Sequence, residues 1–182
     1  MPRVISYDIV QQRMREAGYV SLYHNSGAFG FASAQNVRTF GWIGPDDPTI
    51  RETARNLIEQ VPRPYERNLV ERLARICQTL NTTVWLMPKS HWHYELHFGN
   101  RELLESLLPQ LGIDPATLCE RNDGSALEFG TNEIELLKRA VQGLLEGLTG
   151  SDFALVFLDA ATLCTIHHHK QLWWQTKNPA VE

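Results

Sequence analysis

Six of the seven histidines in this chain lie in two short segments, residues 90–98 and 165–171. Imidazole is the side chain best suited to proton transfer near neutral pH, and it is also a common ligand for zinc, copper, iron and nickel. The clustering of this residue type therefore points first to metal binding or to acid–base chemistry.

The first segment, Ser90–Phe98, alternates strictly between polar and apolar residues. A period of two predicts a β-strand with one face on the core and the other face polar. The predicted polar face carries His91, His93, Glu95 and His97. The predicted buried face carries Trp92, Tyr94, Leu96 and Phe98.

Imidazoles two residues apart on one strand face lie about 7 Å from each other along the strand. Two of them can bind one metal ion if a third ligand comes from elsewhere, and Glu95 can complete the set or accept a proton. The alternative is that these polar residues form the solvated face of a half-buried strand, which is what alternate polar positions usually indicate.

The second segment, Thr165–Gln171, contains three consecutive histidines. If it is extended, His167 and His169 share one face and His168 lies on the other. If the two histidine segments are neighbouring strands, His167 and His169 can join the first set in one site for a divalent transition metal or a haem-like ligand. A polar strand face is again the alternative.

The adjacent tryptophans near the C-terminus, Trp173 and Trp174, are candidates for an interaction site. Tryptophan is enriched in protein interfaces, and together with Lys177 it could also stack the bases of a single strand. The alternative is that the two rings close a core at the end of a strand.

Composition and charge narrow the classes of function. The chain has 17 basic and 21 acidic side chains, a net charge of −4 and no basic stripe, and this charge disfavours binding to nucleic acid. The longest apolar run, Phe153–Leu158, is too short for a membrane span. Three widely spaced cysteines and no secretory signal predict free thiols and a cytoplasmic location.

The pattern of elements predicts an α+β fold, with an antiparallel or mixed β-sheet covered by several amphipathic helices, because β-prone runs joined by short turns alternate with helical stripes. The predicted strands are Tyr19–Tyr23, Phe29–Ser33, Val37–Ile43, Thr82–Met87, Ser90–Phe98, Ala126–Phe129, Phe153–Leu158 and Leu163–Trp174. Pro88 and Lys89 are predicted to join the fourth and fifth of these strands in a hairpin.

Helices are predicted to begin after the capping residues Ser6, Asp47, Asn100, Asp114 and Thr131 or Asn132, and a further helix is predicted across Leu69–Leu80. The apolar stripe of the helix after Asp47 is predicted at Ile50, Ala54, Leu57, Ile58 and Val61. The helices on either side of Val61–Pro64 are predicted to pack together. The length of 182 residues fits a single domain, with a weak subdivision near residues 61–64 as the alternative.

No established enzyme signature occurs in the sequence. It contains neither a Gly-x-Ser-x-Gly elbow nor a His-Glu-x-x-His helix, and no phosphate-binding loop. The sequence alone slightly favours a non-catalytic interaction or accessory protein, with a homo-oligomer or a protein partner bound through a sheet face or the tryptophan strand. The alternative is a metal-binding or haem-binding protein, with or without enzymatic activity, that uses the histidines.

Overall fold

The computed structural model describes residues 1–16, 19–23, 29–33, 39–41, 57–60, 67–119, 125–157, 162–169 and 171–176. Its strands are β1 (Arg3–Ile5), β2 (Tyr19–Tyr23), β3 (Phe29–Ser33), β4 (Thr39–Gly41), β5 (Leu57–Gln60), β6 (Val84–Pro88), β7 (Ala126–Phe129), β8 (Phe153–Phe157), β9 (Thr162–His167) and β10 (Gln171–Thr176). Its α-helices are α1 (Tyr7–Glu16), α2 (Arg67–Leu80), α3 (Trp92–Tyr94), α4 (Arg101–Gln110), α5 (Pro115–Cys119) and α6 (Ile134–Gly147). A π-helix, Glu95–Gly99, continues α3, and a 3₁₀ turn, Thr131–Glu133, precedes α6.

The strands form two antiparallel sheets, so the predicted α+β class with antiparallel sheets is confirmed. The larger sheet has seven strands in the order β1-β7-β6-β8-β9-β10-β5, and the smaller has the order β2-β3-β4. The smaller sheet agrees with the three consecutive strands that the sequence predicts. Its third strand is described only over Thr39–Gly41, a part of the predicted run.

One face of the large sheet packs against the main helical layer. Successive strand residues alternate between the faces, so Val84 and Leu86 enter this core whereas Trp85 and Met87 lie on the other side. The helices contribute leucine-rich stripes at helical spacing, as in Leu104, Leu107 and Leu108 of α4. The remaining members of this core include Leu73, Cys77, Trp92, Leu96, Leu127, Phe129, Leu137, Val141, Leu144, Phe153, Leu155, Phe157, Cys164 and Ile166.

The opposite face of the sheet carries a smaller core. Val10 of α1 belongs to it, together with Ile5, Trp85, Met87, Ala126, Ala154 and Val156. At its border the buried Glu128 accepts hydrogen bonds from the Trp85 indole at 2.8 Å and from Arg3 Nε at 2.6 Å. These bonds satisfy a carboxylate that would otherwise be costly to bury.

The predicted helix caps are confirmed only in part. The cap predicted at Thr131 or Asn132 is wrong, because these residues lie in the 3₁₀ turn and α6 begins at Ile134. Asp114 Oδ1 accepts the backbone N–H of Ala116 at 2.9 Å, so the Asp-Pro pair begins α5 as predicted. Gly112 adopts a φ of 78° just after α4, a conformation that favours glycine. Asn100 precedes α4, but its side chain bonds to other parts of the fold rather than to the amides of the helix.

The helix predicted across residues 50–61 is wrong over its described part. Leu57–Gln60 is strand β5, which pairs antiparallel with β10. Leu57 and Ile58 belong to residue types that suit a strand as well as a helical stripe, and pairing with a sheet edge decided between the two. Residues 48–56 and 61–66 lie outside the described residues, and with them the predicted subdivision near 61–64.

The strand predicted at Ser90–Phe98 is also wrong, because residues 92–99 are helical. In this 92–99 helix, formed by α3 and the π-helix, the buried residues are Trp92, Glu95 and Leu96, which fit a helical period and not a period of two. The predicted hairpin with Thr82–Met87 does not form, since β6 is already paired with β7 on one side and with β8 on the other. A further strand has no free edge of β6 to join.

Cys77 and Cys164 are buried free thiols, as predicted, and burial raises the pKa of the Cys77 thiol to about 12. The side chain of Cys119 lies outside the described part of the chain. Within that part, each helix is too short or too polar to cross a lipid bilayer.

Candidate metal centre

The second histidine segment is a hairpin, which corrects the prediction that it is extended. Strand β9 ends at His167, the chain turns at His168 and His169, and β10 begins at Gln171, which pairs with His167. An extended chain would send His168 away from its two neighbours. Because the chain reverses here, three consecutive imidazoles can lie together.

The three rings of His167, His168 and His169 form one cluster. The ring centroids of His167 and His168 are 4.2 Å apart, those of His168 and His169 are 4.2 Å apart, and those of His167 and His169 are 4.9 Å apart. Each ring offers a nitrogen, and these three nitrogens lie within 4.8 Å of one another. Tetrahedral zinc holds ligand nitrogens about 3.3 Å apart, so modest ring rotations bring the three into range.

Asp152 orients the middle histidine. Its Oδ1 accepts the backbone N–H of His168 at 3.1 Å and lies 2.9 Å from the ring Nδ1 of the same residue. We assign the ring proton to Nδ1, since an ionised carboxylate only accepts hydrogen bonds. The lone pair of His168 is then on Nε2, which is the arrangement found where a carboxylate supports a metal-binding histidine.

His167 is neutral near pH 7. Burial lowers its pKa from 6.5 to about 4, the Asp152 carboxylate opposes this shift, and His168, His169 and Lys89 reinforce it. Its Nδ1 accepts the backbone N–H of His169 at 3.1 Å, which places the ring proton on Nε2. Coordination through Nε2 therefore requires the proton to move to Nδ1 and this hydrogen bond to break.

Lys89 and Asp152 lie beside His167 because of the order of the strands. Pro88 of β6 pairs with Phe153 of β8, and Phe153 pairs with Ile166 of β9. The adjacent residues Lys89, Asp152 and His167 consequently form a row across one end of the sheet.

The buried amine of Lys89 lies 3.8 Å from Asp152 Oδ2. Burial lowers the pKa of Lys89, and the charge of Asp152 opposes that shift. The backbone N–H of Lys89 also donates to the carbonyl oxygen of Asp152 at 2.9 Å. Asp152 is thus held both by its main chain and by its side-chain partners.

The first histidine segment is arranged differently from its prediction. Glu95 is fully buried, and its carboxylate accepts hydrogen bonds from Ser90 Oγ, from Asn100 Nδ2 at 2.7 Å and from Ser151 Oγ at 2.8 Å. It therefore lies beneath the helix and does not share a face with the neighbouring histidines. Its bonds tie the 92–99 helix to the loop before β8.

The remaining histidines of this segment lie at the start and on the outside of the helix. His91 Nδ1 accepts the backbone N–H of Tyr94 at 3.2 Å and caps α3. His93 and His97 are exposed, and their rings stack with centroids 4.3 Å apart. Among the described residues, three potential metal ligands come together only at His167, His168 and His169. The histidines of the first segment do not join them, so the predicted joint site of both segments is not assembled.

The sequence interpretation missed His168 and Asp152. Three consecutive histidines can converge only in a turn, and residues 167–171 contain no Gly, Pro, Asn or Asp that would have predicted one. Asp152 could not be connected to His168 without the pairing of β8 with β9. Metal binding by the predicted residues remains a prediction.

The predicted interaction site at Trp173 and Trp174 lies on an inner strand. Trp173 pairs with Thr165 and Ile58, and Trp174 pairs with Cys164 and Leu57, so β10 has a neighbour on both sides. The two side chains are outside the described part of the molecule, and their role in binding stays a prediction.

A groove of about 550 Å³ lies between α4 and α6, and its lining includes Leu103, Leu107, Gly143 and Gly147 but none of the histidines.

No protein-family model, curated protein or solved structure matches this chain.

Proposed function

We propose that this protein binds a divalent transition metal, zinc in the first instance, through His167, His168 and His169. The observation that carries the proposal is the convergence of three ring nitrogens within 4.8 Å. Imidazole is a ligand that zinc, copper and nickel share, whereas magnesium and calcium prefer oxygen. Three protein ligands would leave a fourth coordination position for water or another ligand.

The surroundings of the cluster support this proposal. Asp152 holds His168 in the tautomer that presents Nε2, and such carboxylate partners make a metal-binding histidine a better ligand. His167 and His168 are partly buried and His169 is exposed, so the cluster is accessible to an ion from solution.

Metal binding is tested with untagged protein that has never contacted a nickel column and has been stripped with EDTA. Zinc is titrated in competition with a chromophoric chelator for the wild type, for a variant with His167, His168 and His169 all changed to Gln, and for His91→Asn as a matched control. We expect the triple variant to lose at least one zinc equivalent that the control retains. Equal zinc binding by all three proteins would overturn the proposal.

A second candidate is self-association through the surface that carries Tyr94 and Phe98. These side chains are 44% and 72% exposed and lie 6.2 Å apart between ring centroids. Neighbouring exposed aromatic rings are more typical of an interaction surface than a single exposed ring. Light scattering should then show a dimer for the wild type and a monomer for Phe98→Ser, and a monomeric wild type contradicts this candidate.

A further inference from the structure

We infer that His93 and His97 form a second site for a divalent transition metal, with copper(II) as its preferred ion. The site lies on the exposed face of the 92–99 helix and uses none of the residues His167, His168 and His169. It goes beyond the function proposed above and does not depend on it.

The spacing of the pair is the first argument. Residues four apart on a helix lie on the same face, and two histidines with this spacing are the ligand arrangement of helical zinc motifs. The rings of His93 and His97 are already in contact, with centroids 4.3 Å apart and planes inclined by 26°. Rotation about exposed side-chain bonds is enough to turn one nitrogen of each ring toward a common ion.

The tautomer of His97 is the second argument. Its Nδ1 lies 2.9 Å from the carbonyl oxygen of His93. A carbonyl oxygen only accepts hydrogen bonds, so this contact assigns the ring proton to Nδ1 and the lone pair to Nε2. A hydrogen bond of this kind orients histidine ligands in established metal sites, where the second ring nitrogen donates to a backbone carbonyl.

The rigidity of the backbone is the third argument. Trp92 and Leu96 are buried on the inner side of the helix, and the Trp92 indole donates to the carbonyl oxygen of Ser125 at 2.8 Å. Between them, the buried Glu95 carboxylate accepts its three hydrogen bonds. An ion that binds His93 and His97 therefore has to order only two side chains and not the chain that carries them.

The ligand chemistry selects the ion. Both ligands are imidazoles. The ring centroid of Phe98 lies 6.4 Å from that of His93 and 6.2 Å from that of His97, and this ring offers no ligand atom. A donor set of nitrogens favours the late first-row ions, among which copper(II) binds most tightly. Water completes the coordination, so we expect this site to be weaker than one with three histidines.

The test uses the EDTA-stripped full chain with His167, His168 and His169 changed to Gln, so that the two sites cannot be confused. Copper(II) is titrated by calorimetry into this protein, and into the same protein carrying His97→Gln or, as the matched control, His91→Asn. We expect the protein to bind one equivalent of copper(II), and we expect His97→Gln to lower the affinity by more than about ten-fold. Loss of an indirect partner of a ligand already costs about that much, so loss of a ligand should cost more. The His91→Asn control should retain the affinity.

A second measurement keeps the inference testable if the triple variant does not fold. Substoichiometric copper(II) broadens the ring-proton NMR signals of histidines near it, so in the wild type the signals of His93 and His97 should broaden together. The broadening of His93 should disappear in His97→Gln. Affinity unchanged by His97→Gln, or broadening of His93 that persists in that variant, indicates adventitious binding to a single imidazole and overturns the inference.

Discussion

One carboxylate, that of Asp152, lies against the histidine cluster. Asp152 contacts the ring and the backbone of His168, lies 3.9 Å from His167 Nε2 and faces the buried amine of Lys89. By accepting a hydrogen bond from Nδ1, it sets which nitrogen of His168 is available. Its effect on binding is therefore separable from that of the ligands themselves.

We expect Asp152→Asn to weaken zinc binding by about 10- to 100-fold, the usual cost of losing an outer-shell partner of a histidine ligand. The amide oxygen can still accept both hydrogen bonds from His168 but carries no charge to favour the ligating tautomer. Chelator competition measures the affinity, and circular dichroism shows whether the variant is folded. Asp114→Asn removes an exposed helix-capping carboxylate and serves as the control. An affinity equal to that of the control contradicts the role of Asp152.

The pKa of His167 predicts how stability depends on pH in the absence of metal. The folded-state pKa is about 4 and the ordinary value is 6.5, because burial disfavours the charged ring more than Asp152 favours it. Between these two pH values the unfolded chain binds a proton here that the folded chain does not. Acidification from pH 6.5 to about 4 should therefore destabilise the fold through this residue, with no contribution above pH 6.5.

Urea midpoints measured with EDTA across this pH range test the sign for the wild type and for His167→Gln. The difference between the two proteins isolates His167 from carboxylates that titrate in the same range. The wild type should lose more stability than the variant on acidification. Parallel curves would show that His167 is protonated equally well in both states.

At the scale of single elements, the segment Ser90–Phe98 shows why a helix was predicted as a strand. Trp92 and Leu96 are four residues apart, as are Tyr94 and Phe98, and any two such pairs offset by two residues also produce a perfect alternation. The periods of strand and helix therefore both fit the apolar residues. The buried Glu95 fits the helical period alone, and its partners Asn100 and Ser151 come from outside the segment.

Other elements were predictable because their patterns allow one interpretation. The predicted strand Ala126–Phe129 matches β7, and five consecutive apolar residues of β8 are buried on both faces as expected. The stripe of α2 is confirmed as well, with Leu73, Ile76 and Cys77 buried. The elements that were predicted wrongly depend on partners distant in sequence, as β5 depends on its pairing with β10.

The buried carboxylate of Glu95 leads to a prediction about Gly99. A Cβ at this position would lie 2.6 Å from Glu95 Oε2, which accepts the bonds of Asn100 and Ser151. Gly99→Ala must therefore displace the carboxylate or the helix, and we expect a loss of about 1–3 kcal/mol in the free energy of unfolding.

Gly147→Ala is the matched control, measured by the same chemical denaturation. Its Cβ would lie 2.7 Å from Leu103 Cδ1, the end of a partly exposed and flexible side chain that can move away. This change at the end of α6 should be neutral or stabilising by up to about 1 kcal/mol. If both variants lose the same stability, the Glu95 contacts are not the cause.

At the scale of the whole molecule, strand order creates the candidate site. Strands β6, β8 and β9 are neighbours although α3 to α6 and β7 lie between the first two in sequence, and this order aligns Lys89, Asp152 and His167. The sequence predicted the antiparallel class from local runs. The pairing of β6 with β8 joins residues 65 or more positions apart, and the pairing of β8 with β9 brings Asp152 to His168, 16 positions away, and neither pairing leaves a local signal. The histidines were thus identifiable and their carboxylate partner was not.

A metal bound at this end of the sheet should stabilise the entire fold, because the ligands are ordered only when the β9–β10 hairpin is formed. Free zinc at about 100 times its dissociation constant adds about 2.7 kcal/mol by mass action, which for a chain of this length raises the melting temperature by about 5–10 °C. The measurement uses the His93→Gln/His97→Gln background, so that zinc binding elsewhere on the surface does not contribute. The shift should reverse with EDTA and should be absent when His167, His168 and His169 are also changed to Gln. An equal shift in that variant would mean that zinc stabilises the fold from another site.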